Sequence, residues 1–288
     1  MRTLPHLLLK SLASLPLLLA LNAQAEVAPG CEVNIDSSSA ENIFQYHSQA
    51  SNGDACSQFN LGYLHYTQQE YEKAEKWYAK AAEQGISRAA FEIAMLYRDN
   101  LLPGGKEPQM RWLQQAAEQG LAMAQAELGS ELLDDQQNGN ELFIAMQWLE
   151  KAATQGHAQA QYLLGEQYWT DRHATLDVSI DPDGDELFQR YTSNDSKALY
   201  WLCQAAQNGS EFAQYSLSDA YSRGRGMPVD QMQSRLWLEK AAANGDPDAI
   251  AIVENDTSSW ESKAELWVKR QLGDSEPRCP QIALALPQ

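Results

Sequence analysis

The sequence predicts an all-α solenoid of about five helical hairpins stacked in series. Two observations carry this expectation. A nine-residue phrase starts at Trp77, Trp112, Trp148, Trp201 and Trp237 and closes on Gly85, Gly120, Gly156, Gly209 and Gly245. Its spacings are 35, 36, 53 and 36 residues, a period that marks stacked supersecondary units rather than one compact core. Ahead of each phrase runs a second apolar pattern at helical spacing, so one period holds two helices. A stack of this kind offers a long surface to a partner.

Residues 1–25 read as a signal peptide. Arg2 and Lys10 give a basic start, Leu12 to Leu21 form an apolar run broken by Pro16, and Ala23-Gln24-Ala25 is a small-x-small cleavage site. The run is short for a bilayer span, and no later segment is apolar enough to cross one. Cys31 lies well past that run and behind Pro29, which argues against lipidation. Residues 26–54 are an N-terminal arm and a degenerate capping helix, with Gln45 in the tryptophan place and Asn52-Gly53 at the end. Residues 55–245 hold the five repeats, 246–273 are C-terminal capping helices, and 274–288 are a tail. The Ser258-Ser-Trp-Glu261 capping box opens the last helix, whose apolar face is Trp260, Ala264, Trp267 and Val268.

Each repeat reads as a helix A followed by an antiparallel helix B. In the fifth, Ala213–Tyr221 is helix A, Gly224, Gly226 and Pro228 break the chain, and Gln231–Asn244 is helix B, ended by Gly245. Leu217, Ser218 and Tyr221 share one side of helix A. The matching trios are Leu61, Gly62 and His65; Ile93, Ala94 and Tyr97; Leu128, Gly129 and Leu132; and Leu164, Gly165 and Tyr168. The small middle residue and the Ala-Ala pair of helix B permit close approach, and tryptophan is expected to fill the space between hairpins. The row Phe59, Phe91, Tyr162 and Tyr215 is read as packing between repeats.

These phrases closely resemble the Sel1-like repeat family, relatives of the tetratricopeptide repeat. The pattern is Leu-Gly-x-x-Tyr, a glycine loop, then Lys-Ala-x-x-Trp-x-x-Lys-Ala-Ala-x-x-Gly. Gly224-Arg-Gly226-Met-Pro-Val229-Asp230 and Lys197-Ala-Leu-Tyr-Trp201 match it well, and the resemblance spans roughly residues 40–255. It implies a right-handed α/α superhelical solenoid used for protein–protein interaction. Some exported relatives resemble envelope-assembly scaffolds, and others look like immunity proteins that neutralise a toxin. The fourth interval departs from the pattern, because residues 171–196 form an acidic insertion of net charge −5. A loop of this length is expected to be either functional or disordered, with neither favoured.

Cys31, Cys56, Cys203 and Cys279 allow three pairings, and an exported chain with an even count points to two disulfides. Proximity and topology favour Cys31–Cys56 and Cys203–Cys279. No Cys-x-x-Cys is present. Formal charge is −18, and −20 without residues 1–25. That balance repels nucleic acid and anionic membranes and attracts basic proteins. The acids around Asp181–Glu186 miss the glycine and glutamate places of a calcium loop, and Ala145 stands where the loop at Asp134 would need its bidentate acid. Histidines 47, 65, 157 and 173 show no zinc spacing, so no metal and no cofactor is expected. His65 fills a core tyrosine place, while His157 opens a helix and is expected to be exposed. A serine hydrolase acting on β-lactams or cell-wall material would need Ser-x-x-Lys or Gly-x-Ser-x-Gly, and neither occurs. Three glycosylation-type triplets, at Asn194, Asn208 and Asn255, are read as chance in a bacterial exported protein.

Helix A lines the concave side of such a solenoid. Positions one and four beyond its small residue point away from the packed face, at 100° per residue. The expected partner-binding residues on this row are Tyr63, Tyr66, Met95, Arg98, Glu166, Trp169 and Asp219. The combined expectation is a periplasmic or secreted, non-catalytic module for a basic protein partner, without nucleic acid or membrane insertion. An immunity or inhibitor role is preferred, with envelope scaffold and cell-wall or β-lactam hydrolase as alternatives.

Overall fold

The computed structural model describes residues 31, 40–134, 139–169, 195–255 and 276–280. The signal-like segment, the insertion up to residue 194, the acids at Asp181–Glu186 and the helix expected after Ser258 lie outside the described residues. Within them the chain is all-α, with twelve helices and no strand. None of these helices is long and apolar enough to cross a membrane. The chain divides into two compact units, 1–124 and 125–288, taken here in turn.

The first unit contains α1 (Ala40–Ser51), α2 (Ala55–Thr67), α3 (Tyr71–Glu83), α4 (Ser87–Arg98), α5 (Lys106–Glu118) and the start of α6 (Ala122–Asp134). Each helix from α1 to α5 packs on the next, with α2–α3 and α4–α5 as the tight hairpins. Asp54 caps α2 by accepting from the Ser57 N–H at 2.7 Å. The disulfide Cys31–Cys56, Cα atoms 5.1 Å apart, ties the N-terminal arm to α2.

The second unit contains the rest of α6, then α7 (Gly139–Thr154), α8 (Ala158–Trp169), α9 (Asp195–Gln207), α10 (Glu211–Arg223), α11 (Gln231–Ala243) and α12 (Pro247–Glu254). Neighbours from α7 to α12 again pack in chain order. Ser210 and Asp246 cap α10 and α12 through the N–H groups of Ala213 and Ala249. His157 departs from its expected exposure. It is half-buried, and its Nδ1 accepts from the Ala160 N–H at 3.4 Å at the start of α8. Burial lowers its pKa, as the loss of water around an imidazolium requires.

The small residue of helix A sits against helix B of its own hairpin. A Cβ on Gly129 would come within 2.7 Å of Leu149, one on Gly165 within 2.5 Å of Leu202, and one on Gly62 would run into the Tyr78 ring. Those three partners all directly follow the repeat tryptophan, and they are fully buried, as is Leu113 in the second hairpin. Trp201 and Trp237 are buried in the core as expected, at 9% and 1% exposure, whereas Trp77, Trp112 and Trp148 are only half-buried. Lys80 and Lys151 lie 4.1 and 3.8 Å over the rings of Trp77 and Trp148, so these indoles act as lids under an aliphatic stem. The Ala-Ala pairs from Ala81-Ala82 to Ala205-Ala206 are buried, as close helix approach demands. The closing glycines adopt φ of 88 to 101°, from Gly156 to Gly245, a region that disfavours side chains.

A polar joint links successive helices. Gln58, Gln161 and Gln214, each buried on a helix A, donate to the carbonyls of Ala50, Ala153 and Ala206 at 3.0, 2.9 and 3.0 Å. Those carbonyls belong to the last turn of the preceding helix B, beyond an intrahelical donor, and each also accepts from the closing N–H of Gly53, Gly156 or Gly209 at 3.1, 2.9 and 3.3 Å, so the glutamine is a second donor. The glutamine oxygens accept in turn from Gln84, Asn208 and Asn244 at 2.7, 2.9 and 2.9 Å. Gln155 donates likewise to Gln125 at 2.7 Å. The donors all stand seven residues beyond their repeat tryptophan. Gln214→Ala removes both bonds from a fully buried position. The expected loss is about 1–2 kcal/mol, two hydrogen bonds of ordinary net worth, because the Ala206 carbonyl still accepts from the Gly209 N–H and Asn244 is exposed to water. Urea denaturation of wild type and variant measures it, and an unchanged midpoint would show the joint to be replaceable by solvent.

Candidate functional site

The A-helix row is best described one unit at a time. In the first unit, Tyr63 and Tyr66 lie three residues apart on α2 and share a face. Their rings are 6.5 Å apart, and Tyr71, the first residue of α3, brings a third ring 6.0 Å from Tyr66. All three are half-buried. The short turn between α2 and α3 returns the chain at once onto the last turn of α2, which places Tyr71 there. Burial raises the Tyr66 pKa first, with the carboxylates of Glu92 and Asp99 adding to it. The phenol therefore stays neutral. Glu92 is buried on α4 and paired with Arg88 at 2.6 Å, while Asp99 follows the end of α4.

Met95 does not belong to this open face. It is only 6% exposed, within an unbroken buried run from Ala89 to Leu96. A helix with packed neighbours on both sides, α3 and α5, has too narrow an open sector for the single-face count to hold. The row surfaces again at Arg98, which is exposed and paired with Asp99 at 3.0 Å. Nearby, the Tyr97 hydroxyl donates to Glu75 at 2.6 Å, and burial with this bond pushes its pKa up to about 12.

In the second unit the corresponding residues are engaged within the fold. Trp169 is 7% exposed, against the expectation of a binding residue. Arg225, from the glycine loop after α10, places its guanidinium 4.5 Å over the Trp169 ring and donates to the Trp169 carbonyl at 2.6 Å. The loop of the following repeat thus closes over the indole. Glu166 is half-buried and accepts from the Ser216 hydroxyl at 2.9 Å. Asp219 is half-buried and paired with Arg223 at 2.7 Å. Of the row read as packing between repeats, Tyr162 does so on Phe212 at 5.7 Å, whereas Phe59 packs on Tyr78 of its own hairpin at 5.4 Å and Tyr215 against the Leu238 cluster, while Phe91 is buried.

The open face can hold a cationic side chain: the tyrosine faces accept the aliphatic stem and charge. No nucleophile is paired with a base among Tyr63, Tyr66, Tyr71, Glu92, Arg98 and Asp99. Tyr71, Glu92 and Asp99 escaped the sequence count because it followed only helix A. The short first-repeat loop was the available signal for Tyr71.

The family profile described as Sel1 repeat matches residues 57–86, 110–121, 122–157, 158–172, 186–210 and 212–246. Comparison with curated protein sequences gave no match. Among solved structures, a protective antigen of uropathogenic Escherichia coli strains with an SLR fold aligns with TM-score 0.62 and 25% identity, over 86% of this chain and 53% of that one. A Sel1 repeat protein from Oxalobacter formigenes aligns with TM-score 0.55 and 26% identity, over 75% and 61%. This chain thus spans between half and two thirds of either protein. An immunity protein from Pseudomonas aeruginosa aligns with TM-score 0.38 and 18% identity, over 75% and 80%, too distantly to inform function.

Burial raises the Glu166 pKa above 4.5, its Ser216 bond and Arg225 opposing and Asp219 reinforcing the shift. A carboxyl raised in the folded state binds its proton there first. Stability from this group therefore increases as pH falls from the folded pKa towards 4.5 and declines as pH rises. Glu166→Gln should be the more stable protein at pH 7, with the gap closing towards pH 4.5 in urea titrations. A gap independent of pH would mean that the carboxylate is well hydrated.

Proposed function

The chain belongs to the Sel1 repeat family, and we propose that it is a non-catalytic, exported binding module that captures a basic protein, in the manner of an inhibitor or immunity protein. Sel1 repeats mediate protein–protein interaction, and the all-α hairpin fold suits that use. The observation that carries the reading is the tyrosine trio Tyr63, Tyr66 and Tyr71 beside Glu92 and Asp99. Tyrosine supplies large contact area at small entropic cost, and it is enriched where binding energy concentrates. A partner lysine or arginine would lay its stem and charge on the ring faces. The formal charge of −18 favours fast capture of a basic partner. The two disulfides suit an oxidising compartment, here the periplasm or the exterior, reached after cleavage near Ala25. Arg98 stands near the tyrosines in the same unit but is already paired with Asp99, and in the second unit Glu166 and Asp219 are likewise hydrogen-bonded or paired, so each has less to contribute than the rings.

Cross-linking in intact cells, with mass spectrometry of the captured chain, identifies the partner. A basic protein joined through α2 and the start of α3 is expected. Tyr66→Ala should then weaken its binding by roughly 10- to 100-fold, the range of a binding hot spot. Cells given the captured protein as a co-expressed effector should lose protection with the same variant. An acidic partner, or full affinity in Tyr66→Ala, would overturn the site. Capture without any toxicity to relieve would move the role from immunity to envelope scaffold.

A further inference from the structure

The fifth hairpin holds a short segment of the chain's own tail. Residues 276–280, Glu-Pro-Arg-Cys-Pro, lie against α10 and α11 in irregular backbone. Cys279 is bonded to Cys203 of α9, with Cα atoms 5.7 Å apart. The main chain of Arg278 is held from both of its polar groups. Its carbonyl accepts from the Tyr221 hydroxyl at 2.7 Å and from the Trp237 indole N–H at 3.0 Å. Its N–H donates to Gln233 Oε1 at 2.7 Å. The Arg278 residue itself is exposed, so the grip is on backbone.

This is the pattern by which proteins read extended peptides, where N–H and C=O of one residue face the same edge. The flanking prolines favour it, since a residue before proline is driven towards extended conformations. The groove is also particular to this repeat. Four residues before the repeat tryptophan stand Lys73, Pro108, Ile144 and Lys197 in the other hairpins, and only Gln233 can accept there from a peptide N–H. Trp237 is the one fully buried repeat tryptophan, at 1% exposure, and the tail is what its N–H meets.

We propose that the α10–α11 groove is a binding site for an extended, proline-flanked peptide segment of another protein. In the oxidised chain residues 277–280 fill it, and reduction of Cys203–Cys279 frees it. The opening step is thiol–disulfide exchange with a dithiol reductant. One thiolate of the reductant attacks Cys279 Sγ, and Cys203 leaves as a thiolate that takes up a proton. The second thiolate of the reductant then displaces Cys279, so the reductant ends as its own disulfide and the chain carries two thiols. The tail is then held only by its non-covalent contacts and competes with peptides in solution. Recognition runs through Gln233, Tyr221 and Trp237, so it demands a free N–H and carbonyl at the central position.

The test uses the full-length chain and a dye-labelled peptide of residues 276–280 carrying Cys279→Ser, followed by fluorescence anisotropy. The oxidised protein should not bind it. The Cys203→Ser/Cys279→Ser protein should bind it saturably, and adding Gln233→Ala should weaken binding at least tenfold. A peptide with proline in the Arg278 place, lacking the N–H, should not bind. Equal uptake by oxidised and untethered protein, or no uptake by an untethered protein of native helicity, would overturn the proposal. A second measurement does not depend on the untethered variant folding. In the oxidised wild type the Arg278 amide should be protected from hydrogen exchange, and Gln233→Ala should reduce that protection at least tenfold. An Arg278 amide that exchanges freely in the wild type would sink the assignment.

Discussion

A buried glutamine amide cannot be left half-paired, and that constraint sets how these hairpins stack. Each helix B ends with carbonyls that no residue of its own helix can reach. Gln58, Gln161 and Gln214 reach back to one of them, at Ala50, Ala153 and Ala206. The same amides take a proton donor from the end of the next helix B, at Gln84, Asn208 and Asn244. Three helices are thereby fixed by one side chain. Apolar packing alone tolerates a small slide of one helix along another. A two-sided amide at 2.7 to 3.0 Å does not, since a shift of one residue breaks both bonds. The second hairpin has Ala90 in the glutamine place, and there Gln115 of α5 approaches the Ala82 carbonyl at 3.5 Å from another direction. That carbonyl also accepts from the Gly85 N–H at 3.0 Å, so the glutamine adds a second donor to a group already met.

With register fixed by amides, the hydrophobic seal is free to vary along the chain. The residue after each tryptophan fills the hairpin interior and faces a glycine or other small residue of helix A. The tryptophan is left to cover the joint from outside, under Lys80 in one hairpin and Lys151 in another. Where an additional segment crosses the joint, the same residue becomes core. Trp237 is buried because the Arg278 carbonyl and the disulfide-held tail close over it. One sequence position thus changes from lid to core with no change in the residue itself.

The all-α hairpin class was legible because it depends on quantities that a sequence displays, namely period, helix-ending glycines and small residues opposite large ones. The paired cysteines were narrowed by topology, since Cys56 opens α2 and Cys279 lies in the tail. Exposure was less legible. Met95 and Arg98 sit on one row of α4, yet one is buried and the other open, because the helix is covered along its length and free only at its end. Trp169 depends on Arg225, a loop residue 56 positions away, and no periodicity reports that. The amide joint was written in the sequence all the same. An amide stands seven residues after every repeat tryptophan, and a glutamine stands three before the helix-A leucine in four of the five repeats. It went unread because attention to apolar periodicity treats polar residues as solvent-facing.

Those self-contained contacts also decide where recognition energy is available. Arg225 over Trp169, Arg223 on Asp219 and Ser216 on Glu166 leave the second-unit groups already satisfied. A partner that engaged them would first have to break an existing bond, and the net gain would be small. Tyr63, Tyr66 and Tyr71 differ, because their contacts to one another are edge and face contacts between rings that remain half-open. Covering those rings removes apolar surface from water and breaks no contact as strong as an ion pair, so less of the gain is lost there than at the paired groups. Glu92 and Asp99 are already paired with Arg88 and Arg98, so any bias towards a cationic partner comes from the chain's net negative charge, which acts on encounter and specificity rather than on bulk binding energy.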